Sequence, residues 1–464
     1  MAIAEHSTPR TRLLHDLNLM EQLQHLRQTD NATNWYYLAR TYLYLTAVIG
    51  GTIWFYHYQT ANGLSFLWNV PVTLLAIVLV GAGQHQLTGL AHEAAHHILF
   101  RHRLLNDLVS DWLCMFPLFS STHHYRLQHL AHHQFVNDPV RDPDISQLQT
   151  SGHWLEFPLA RGEFLRRLLQ RVWLPYLIKY MRIRAKYNAM PSDRNPYLRK
   201  NWTPSKIPVR VGIGYIVGML VLLTGLVWQG DPLWLAVVPL LGWIAVSVFY
   251  ALIPERLYHQ SRVHPTIPQR VMTLLRMTYM TALFSGLAWI TLLTGVWAAV
   301  YFVLLWLVPL VTAFSFFMIL RQWVQHGNGD RGWLTNTRVF FVGPFIRFSV
   351  FPIGQDYHLP HHMFASVPHY RLKELHEILL QNPEYREQGL EVHGYFVSPE
   401  KPQVHPTVLD VLGPEYAPRG FRGVHIDDTV LEDVEVEEKA EILREGAAEV
   451  ERLSSAANRK SVDQ

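Results

Sequence analysis

Three dense clusters of histidine have the residue type and spacing to hold metal: His92-Glu93-Ala94-Ala95-His96-His97, His129-Leu130-Ala131-His132-His133 and His358-Leu359-Pro360-His361-His362. Neutral imidazole offers a lone pair to iron, copper, nickel or zinc. Positions i and i+4 project from one helix face, so His92 and His96 can reach one ion. Alone, the first cluster fits H-E-x-x-H, two zinc ligands with a glutamate as general base. The other two clusters each place histidine at i, i+3 and i+4, making eight positions with His92 and His96, and His326 in Arg321-Gln322-Trp323-Val324-Gln325-His326-Gly327 is a ninth. One four-coordinate, redox-inert zinc would leave most of them idle. Nine nitrogens divide more naturally between two ions of five or six coordination, with room for water or a bridging oxygen species. A pair of irons is the reasonable choice, since it can cleave dioxygen and take a hydrogen atom from an unactivated carbon.

The clusters share a site only if the chain returns them to one place. Apolar runs that cross a bilayer need about 20 residues, and six are present in three pairs: 35–57 with 64–87, 209–228 with 233–253, and 278–294 with 296–323. Each pair reads as a hairpin, because the connections at 59–65, 229–232 and Gly295 hold no Lys or Arg. Segments 1–34, 98–208 and 255–276 carry most of the Lys and Arg outside the C-terminal tail. Positive charge accumulates on the cytoplasmic side, which puts both termini, the long loops and all three clusters there. The expected fold is an all-α integral membrane protein, with six transmembrane helices in three hairpins and a cytoplasmic, histidine-rich cap. Parity decides it, for an even number of crossings must separate the clusters.

Composition agrees with a membrane chain, since 49% hydrophobic and 12% aromatic is high for a soluble enzyme of 464 residues. The net charge of +3 conceals an asymmetry: thirteen Lys or Arg against two acids between Arg161 and Arg210, and an excess of Asp and Glu from Asp427 to Glu451. That pattern excludes a uniformly basic nucleic-acid binder. The single cysteine, Cys114, excludes an intrachain disulfide and a Cys-rich metal site. No cleavable signal opens the sequence; Leu13, Leu17 and Met20 recur at helical spacing instead, as in an amphipathic helix docked on the fold. Residues 104–119 are apolar but interrupted by Asp107 and Asp111, as in a helix that dips into the interface without crossing. Residues 164–187 mix Leu, Trp and Tyr with seven Arg or Lys, which suits anionic lipid headgroups or an acidic electron donor. Three segments result: an amphipathic, interfacial 1–34, a membrane domain at 35–380, and a cytoplasmic, acidic, partly disordered extension at 381–464 in which 435–452 is expected to be helical.

These features together resemble the membrane fatty acid desaturases, whose pattern is three histidine boxes of the form H-x(3-4)-H, H-x(2-3)-H-H and H-x-x-H-H around membrane hairpins. The flanks agree: Asp138-Pro139-Val140-Arg141-Asp142-Pro143-Asp144 follows the second box and Met363-Phe364-Ala365-Ser366-Val367-Pro368-His369-Tyr370-Arg371-Leu372 the third. The resemblance covers residues 35–380. It implies that His92, His96, His129, His132, His133, His326, His358, His361 and His362 bind two iron ions. Glu93 would then orient an imidazole rather than act as a base. His97, at i+5, points off the shared face and would support the site or serve as an alternative ligand. Gln322 lies one turn before His326, and His85, His123, His124 and His369 are left to structural or interfacial roles. The family commonly has four spans, so a hairpin is added here between the second and third boxes.

The implied activity is oxygen-dependent insertion of a double bond into an acyl chain carried by a lipid or thioester. Electrons would come from an external ferredoxin or b-type cytochrome, since no donor is fused to the chain. A hydroxylase or ketolase of acyl chains, alkanes or carotenoids would use the same site. An intramembrane zinc protease would use His92, Glu93 and His96 alone and ignore the other clusters. A metal transporter would place its histidines near the bilayer midplane, whereas these lie at one edge.

Overall fold

Long apolar helices make the scaffold, and irregular segments at one end carry the histidines. The computed structural model describes residues 17–189, 195–199, 202–203 and 205–418. Leu13 and the acidic segment, with the helix expected at 435–452, lie outside them. The chain begins with α1 (Leu17–Leu26), α2 (Thr33–Ala61) and α3 (Asn69–Ala95). Shorter helices follow: α4 (Arg103–Ser110), α5 (Thr122–Phe135), α6 (Pro143–Ser151), α7 (Arg161–Arg171) and α8 (Leu174–Ala189). Next come α9 (Ile207–Gln229), α10 (Pro232–Leu252), α11 (Gln269–Thr294), and α12 (Ala298–Phe302) joined through π-helical turns to α13 (Ser315–His326). The remainder is β1 (Val339–Phe341), α14 (Pro344–Val350), α15 (His358–Met363), α16 (Leu372–Leu379), α17 (Pro383–Gln388), β2 (Glu391–His393) and α18 (Val408–Val411).

Five helices among the described residues are long and apolar enough to cross a membrane: Phe66–Ala95, Ile207–Gln229, Pro232–Leu252, Gln269–Thr294 and Ala298–His326. They correspond to five of the six expected spans. The sixth, at 35–57, is helical as α2 and lies against α3, but Arg40, His57 and a run of Tyr and Thr dilute its apolar character. Local chemistry sets the turns. Gly230 takes φ 73° to end α9, and Asp231 then accepts from the N–H groups of Leu233 and Trp234 to cap α10. α2 packs on α3 and α9 on α10, α11 touches α9, α10 and α12, and the stretch between α12 and α13 lies along α3. Its approach to α3 is close: a Cβ at Gly81 would sit 2.6 Å from Ala313 Cβ and 2.7 Å from Phe314 N, so only glycine fits.

Two departures from an all-α fold are the three-residue strands β1 and β2, which pair in parallel through Val339↔Glu391, Phe340↔Val392 and Phe341↔His393. The segment expected to dip is α4 followed by a π turn and a 3-10 turn, with Asp107 and Asp111 buried. Leu19, Leu23 and Leu26 of α1 are buried in one cluster with Leu372, Leu375 and Leu379, which docks α1 on α16.

Candidate metal centre

Four elements deliver the nine histidines. His92 lies in the last turn of α3 and His96 caps it; α5 brings His129, His132 and His133; α13 ends at His326; α15 brings His358, His361 and His362. The structure sorts them into two groups, His92, His96, His129, His133 and His361 in one and His132, His326, His358 and His362 in the other. Within each group one ring nitrogen per residue lies within 4.8 Å of all the others. The i, i+3, i+4 spacing now has a geometric reading. On α5 the i/i+4 pair His129 and His133 faces the first group and His132 the second; on α15 the i/i+4 pair His358 and His362 faces the second and His361 the first. The groups adjoin, for the His133 and His362 rings stack with centroids 4.1 Å apart.

The donor set fits metal. Eight of the nine are buried and His326 half-buried, with no carboxylate in either group. Nε2 atoms converge: His96 to His129 at 2.8 Å, His133 to His361 at 3.1 Å, His326 to His358 at 2.9 Å and to His132 at 3.2 Å, and His358 to His362 at 3.1 Å. Two nitrogens about 2.1 Å from one ion and at right angles lie about 3.0 Å apart, so these separations suit ligands of a shared cation. Burial, followed by neighbouring imidazoles, holds His129, His133, His361 and His362 well below the usual histidine range, and His358 likewise. Their lone pairs are thus free of protons at neutral pH. His132 differs: burial pulls its pKa down, but Asp142 and Asp144 outweigh this and raise it.

The outer edges of several rings are held. His132 Nδ1 lies 3.1 Å from Asp142 Oδ1, and His326 Nδ1 donates to the Asn336 carbonyl at 3.1 Å, the support that ligating imidazoles receive. Glu93 Oε1 lies 3.3 Å from His92 Nδ1, while its Oε2 accepts the His369 N–H at 2.8 Å. Both oxygens are engaged, as expected of an orienting group and unlike the free base a zinc protease needs. His97 turns away, adopting φ 59° beside Arg126 and Asp107. Gln322 accepts from the Tyr180 hydroxyl at 2.7 Å and lines a cavity of about 30 Å³ that also touches His92, His129, His132 and His358. His85 bonds the Ser349 carbonyl and His123 the Ser261 hydroxyl, both away from the clusters.

Three positioning residues escaped the sequence reading. Arg126 is fully buried and donates to the carbonyls of Ala94 and Ala95 at 2.7 and 2.9 Å, so α5 is fixed on the end of α3. Asp107 pairs with Arg126 at 2.6 and 3.0 Å. Gln355 places its amide nitrogen 3.0 Å from the His92 ring. Only Asp142 had a signal, since it lies in the Asp-Pro flank of the second box.

Fold and site together define a multi-helix membrane protein with two adjoining histidine groups able to hold metal. The Fatty acid desaturase family profile matches residues 67–274 and 243–396, and the chain belongs to that family. A dihydrorhizobitoxine desaturase of Bradyrhizobium elkanii is 24% identical over 407 residues, covering 84% of this chain and 87% of that protein. The Delta(5) fatty acid desaturase fat-4 of Caenorhabditis elegans is 30% identical over 129 residues, 28% of this chain and 26% of that one. A Delta 8-(E)-sphingolipid desaturase of Candida albicans is 35% identical over 89 residues, 18% of this chain and 14% of that one. Desaturase relatives mark this chain as an oxidoreductase.

Proposed function

We propose that this protein is an oxygen-dependent desaturase that inserts a double bond into an acyl chain carried by a lipid or thioester, using two irons held by nine histidines. The observation that carries the reading is the sorting of those histidines into adjoining groups of five and four. His92, His96, His129, His133 and His361 would hold one ion, and His132, His326, His358 and His362 the other. Bound there, the pair supplies dioxygen-dependent removal of hydrogen from two neighbouring methylenes, with two external electrons consumed and oxygen released as water. The chain's own part is to orient and to exclude. Asp142, Glu93 and the Asn336 carbonyl fix three rings, and the cavity of about 30 Å³ has room for a molecule of water size. A second, apolar cavity of about 550 Å³, lined by Tyr42, Ile53, Pro117, Leu283, Tyr301 and Trp306, suits an acyl tail.

The same reading gives six crossings, with α2 as the first, and puts the histidine boxes on the cytoplasmic side. It retains an interfacial segment at 1–34, a membrane domain at 35–380 and an extension at 381–464. Helices α7 and α8 expose Leu169, Trp173 and Ile178 among arginines and lysines, which supports contact with anionic headgroups. A ferredoxin or b-type cytochrome supplies the electrons. The relatives act, by name, on a fatty acid, a sphingolipid and dihydrorhizobitoxine, so the test uses a whole-lipid readout. Expression in a host lacking polyunsaturated lipids, followed by lipid profiling and metal analysis, is expected to show acyl chains short of two hydrogens and iron in the purified protein. Products that gain oxygen instead identify a hydroxylase; iron-free protein with unchanged acyl chains overturns the proposal.

A further inference from the structure

Away from the nine histidines, a second constellation gathers where β2 meets the loop that returns to α18. Glu391, His393 and His405 each place a ligand atom within 4.8 Å of the other two. The two rings stack almost in parallel, centroids 4.0 Å apart at 12°. One oxygen serves both outer edges: Glu400 Oε1 lies 3.0 Å from His393 Nδ1 and 2.7 Å from His405 Nδ1. Glu400 Oε2 accepts the N–H groups of Val404 at 3.0 Å and His405 at 2.8 Å, which fixes the carboxylate in place. A carboxylate only accepts, so both Nδ1 atoms carry hydrogen, and the Nε2 atoms, turned the other way, are the positions left for a metal.

Both Nε2 atoms face a carboxylate. Glu391 Oε2 lies 3.5 Å from His393 Nε2 and 4.0 Å from His405 Nε2, and His393 Nε2 is buried without a hydrogen-bond partner. The other oxygen of Glu391 is taken by His376 Nε2 at 3.2 Å, whose Nδ1 accepts from the Tyr385 hydroxyl at 2.8 Å. Three ligand-type atoms gather, each steadied by a neighbour that occupies its opposite edge, the kind of support that metal-ligating imidazoles receive. Ligands about 2.0–2.2 Å from a tetrahedral ion lie about 3.3–3.6 Å from one another, so closing the site takes a contraction of the observed distances and a tilt of one ring out of the parallel stack.

We propose that Glu391, His393 and His405 bind one divalent cation of the zinc class, oriented by Glu400 and His376, at a site separate from the nine histidines. The cation would fasten the loop from 394 to 405 onto β2. β2 pairs with β1, whose Val339 bridges Tyr357, the residue before His358, so the site staples the extension to the strand behind the third cluster. The bond geometry does not depend on which metal the nine histidines hold or on the reaction run there.

The full-length protein, purified with its resident metals, is exposed to zinc and dialysed beside His405→Gln and Glu391→Gln variants. Wild type is expected to retain one zinc more per chain than either variant, with iron unchanged in all three, and zinc is expected to raise the melting temperature of wild type alone. Equal zinc in all three overturns the proposal, and identifies the stack as two protonated imidazoles between two carboxylates. Crystals of zinc-treated wild type measured at the zinc absorption edge give a reading that needs no variant. An anomalous peak between Glu391 Oε2 and His393 Nε2 supports the site, and its absence there overturns it.

Discussion

Asp142 serves two ends with one carboxylate, accepting from the Asp144 N–H to cap α6 and standing against His132 Nδ1. Asp142→Asn keeps the cap but removes the charge that favours His132 as a donor. Support of this kind typically sets metal affinity by about 10- to 100-fold, so the variant should bind its second ion more weakly while melting close to wild type; a metal titration beside a thermal scan checks this. The two groups also make a counting prediction. His362→Ala removes a ligand from the group of four and His361→Ala one from the group of five, and the smaller set has less to spare. Loss of about one of two ions is expected for His362→Ala, with a smaller loss for His361→Ala, read by metal analysis of the purified variants. Equal, complete loss in both would show one cooperative centre instead of two separable groups.

At the scale of elements, the histidine clusters were legible because imidazole chemistry and helical spacing are local, whereas the device that registers α5 on α3 was not. Nothing near Arg126 in the sequence marks it as buried, and its partner Asp107 sits on α4, read as an interruption in an apolar run. The pairing is a tertiary event: Arg126 satisfies carbonyls left over at the end of α3, and Asp107 neutralises it. Burial pushes the Asp107 carboxyl up, but Arg126 and the Asn106 amide outweigh it and hold the carboxyl below its ordinary range. The sign follows. A carboxylate depressed in the fold contributes stability that is fully present above its unfolded value of about 3.9 and is lost as pH falls through the folded value. Asp107→Asn strands a buried guanidinium and should cost about 3–5 kcal/mol at neutral pH. The gap in melting temperature between wild type and variant should narrow as pH drops from about 5 to about 3. A constant gap would mean that Asp107 contributes by shape and not by charge.

For the whole molecule, the parity that unites the clusters does not rest on α2. Between the end of α3 and His326 lie α9, α10, α11 and the α12–α13 stretch, four of the five helices apolar enough to cross, and four returns the chain to its starting side. α2 decides only where the N-terminus lies. The sequence reading counts 35–57 as a crossing and puts the N-terminus in the cytoplasm; Tyr, Thr and Arg40 weaken that apolar signal, but packing bears on it. Asn34, at the start of α2, donates to the Leu99 carbonyl at 2.8 Å and lies 2.9 Å from His369 Nε2, so α2 begins at the histidine end. It then runs 29 residues, about 43 Å of helix, before the chain turns back into α3, which ends at the same place. A helix that starts beside the clusters and feeds one that finishes there runs back along α3, which supports α2 as the first of the six proposed crossings. Cys114 is buried and the only cysteine, so single cysteines introduced into a Cys114→Ala background report sidedness cleanly. Asn62→Cys, Gln229→Cys and Val296→Cys are expected to react with an impermeant thiol reagent from one side of the membrane, and Gln22→Cys and Arg167→Cys from the other. Labelling of Gln22→Cys from the same side as Asn62→Cys would remove α2 from the count and leave five crossings.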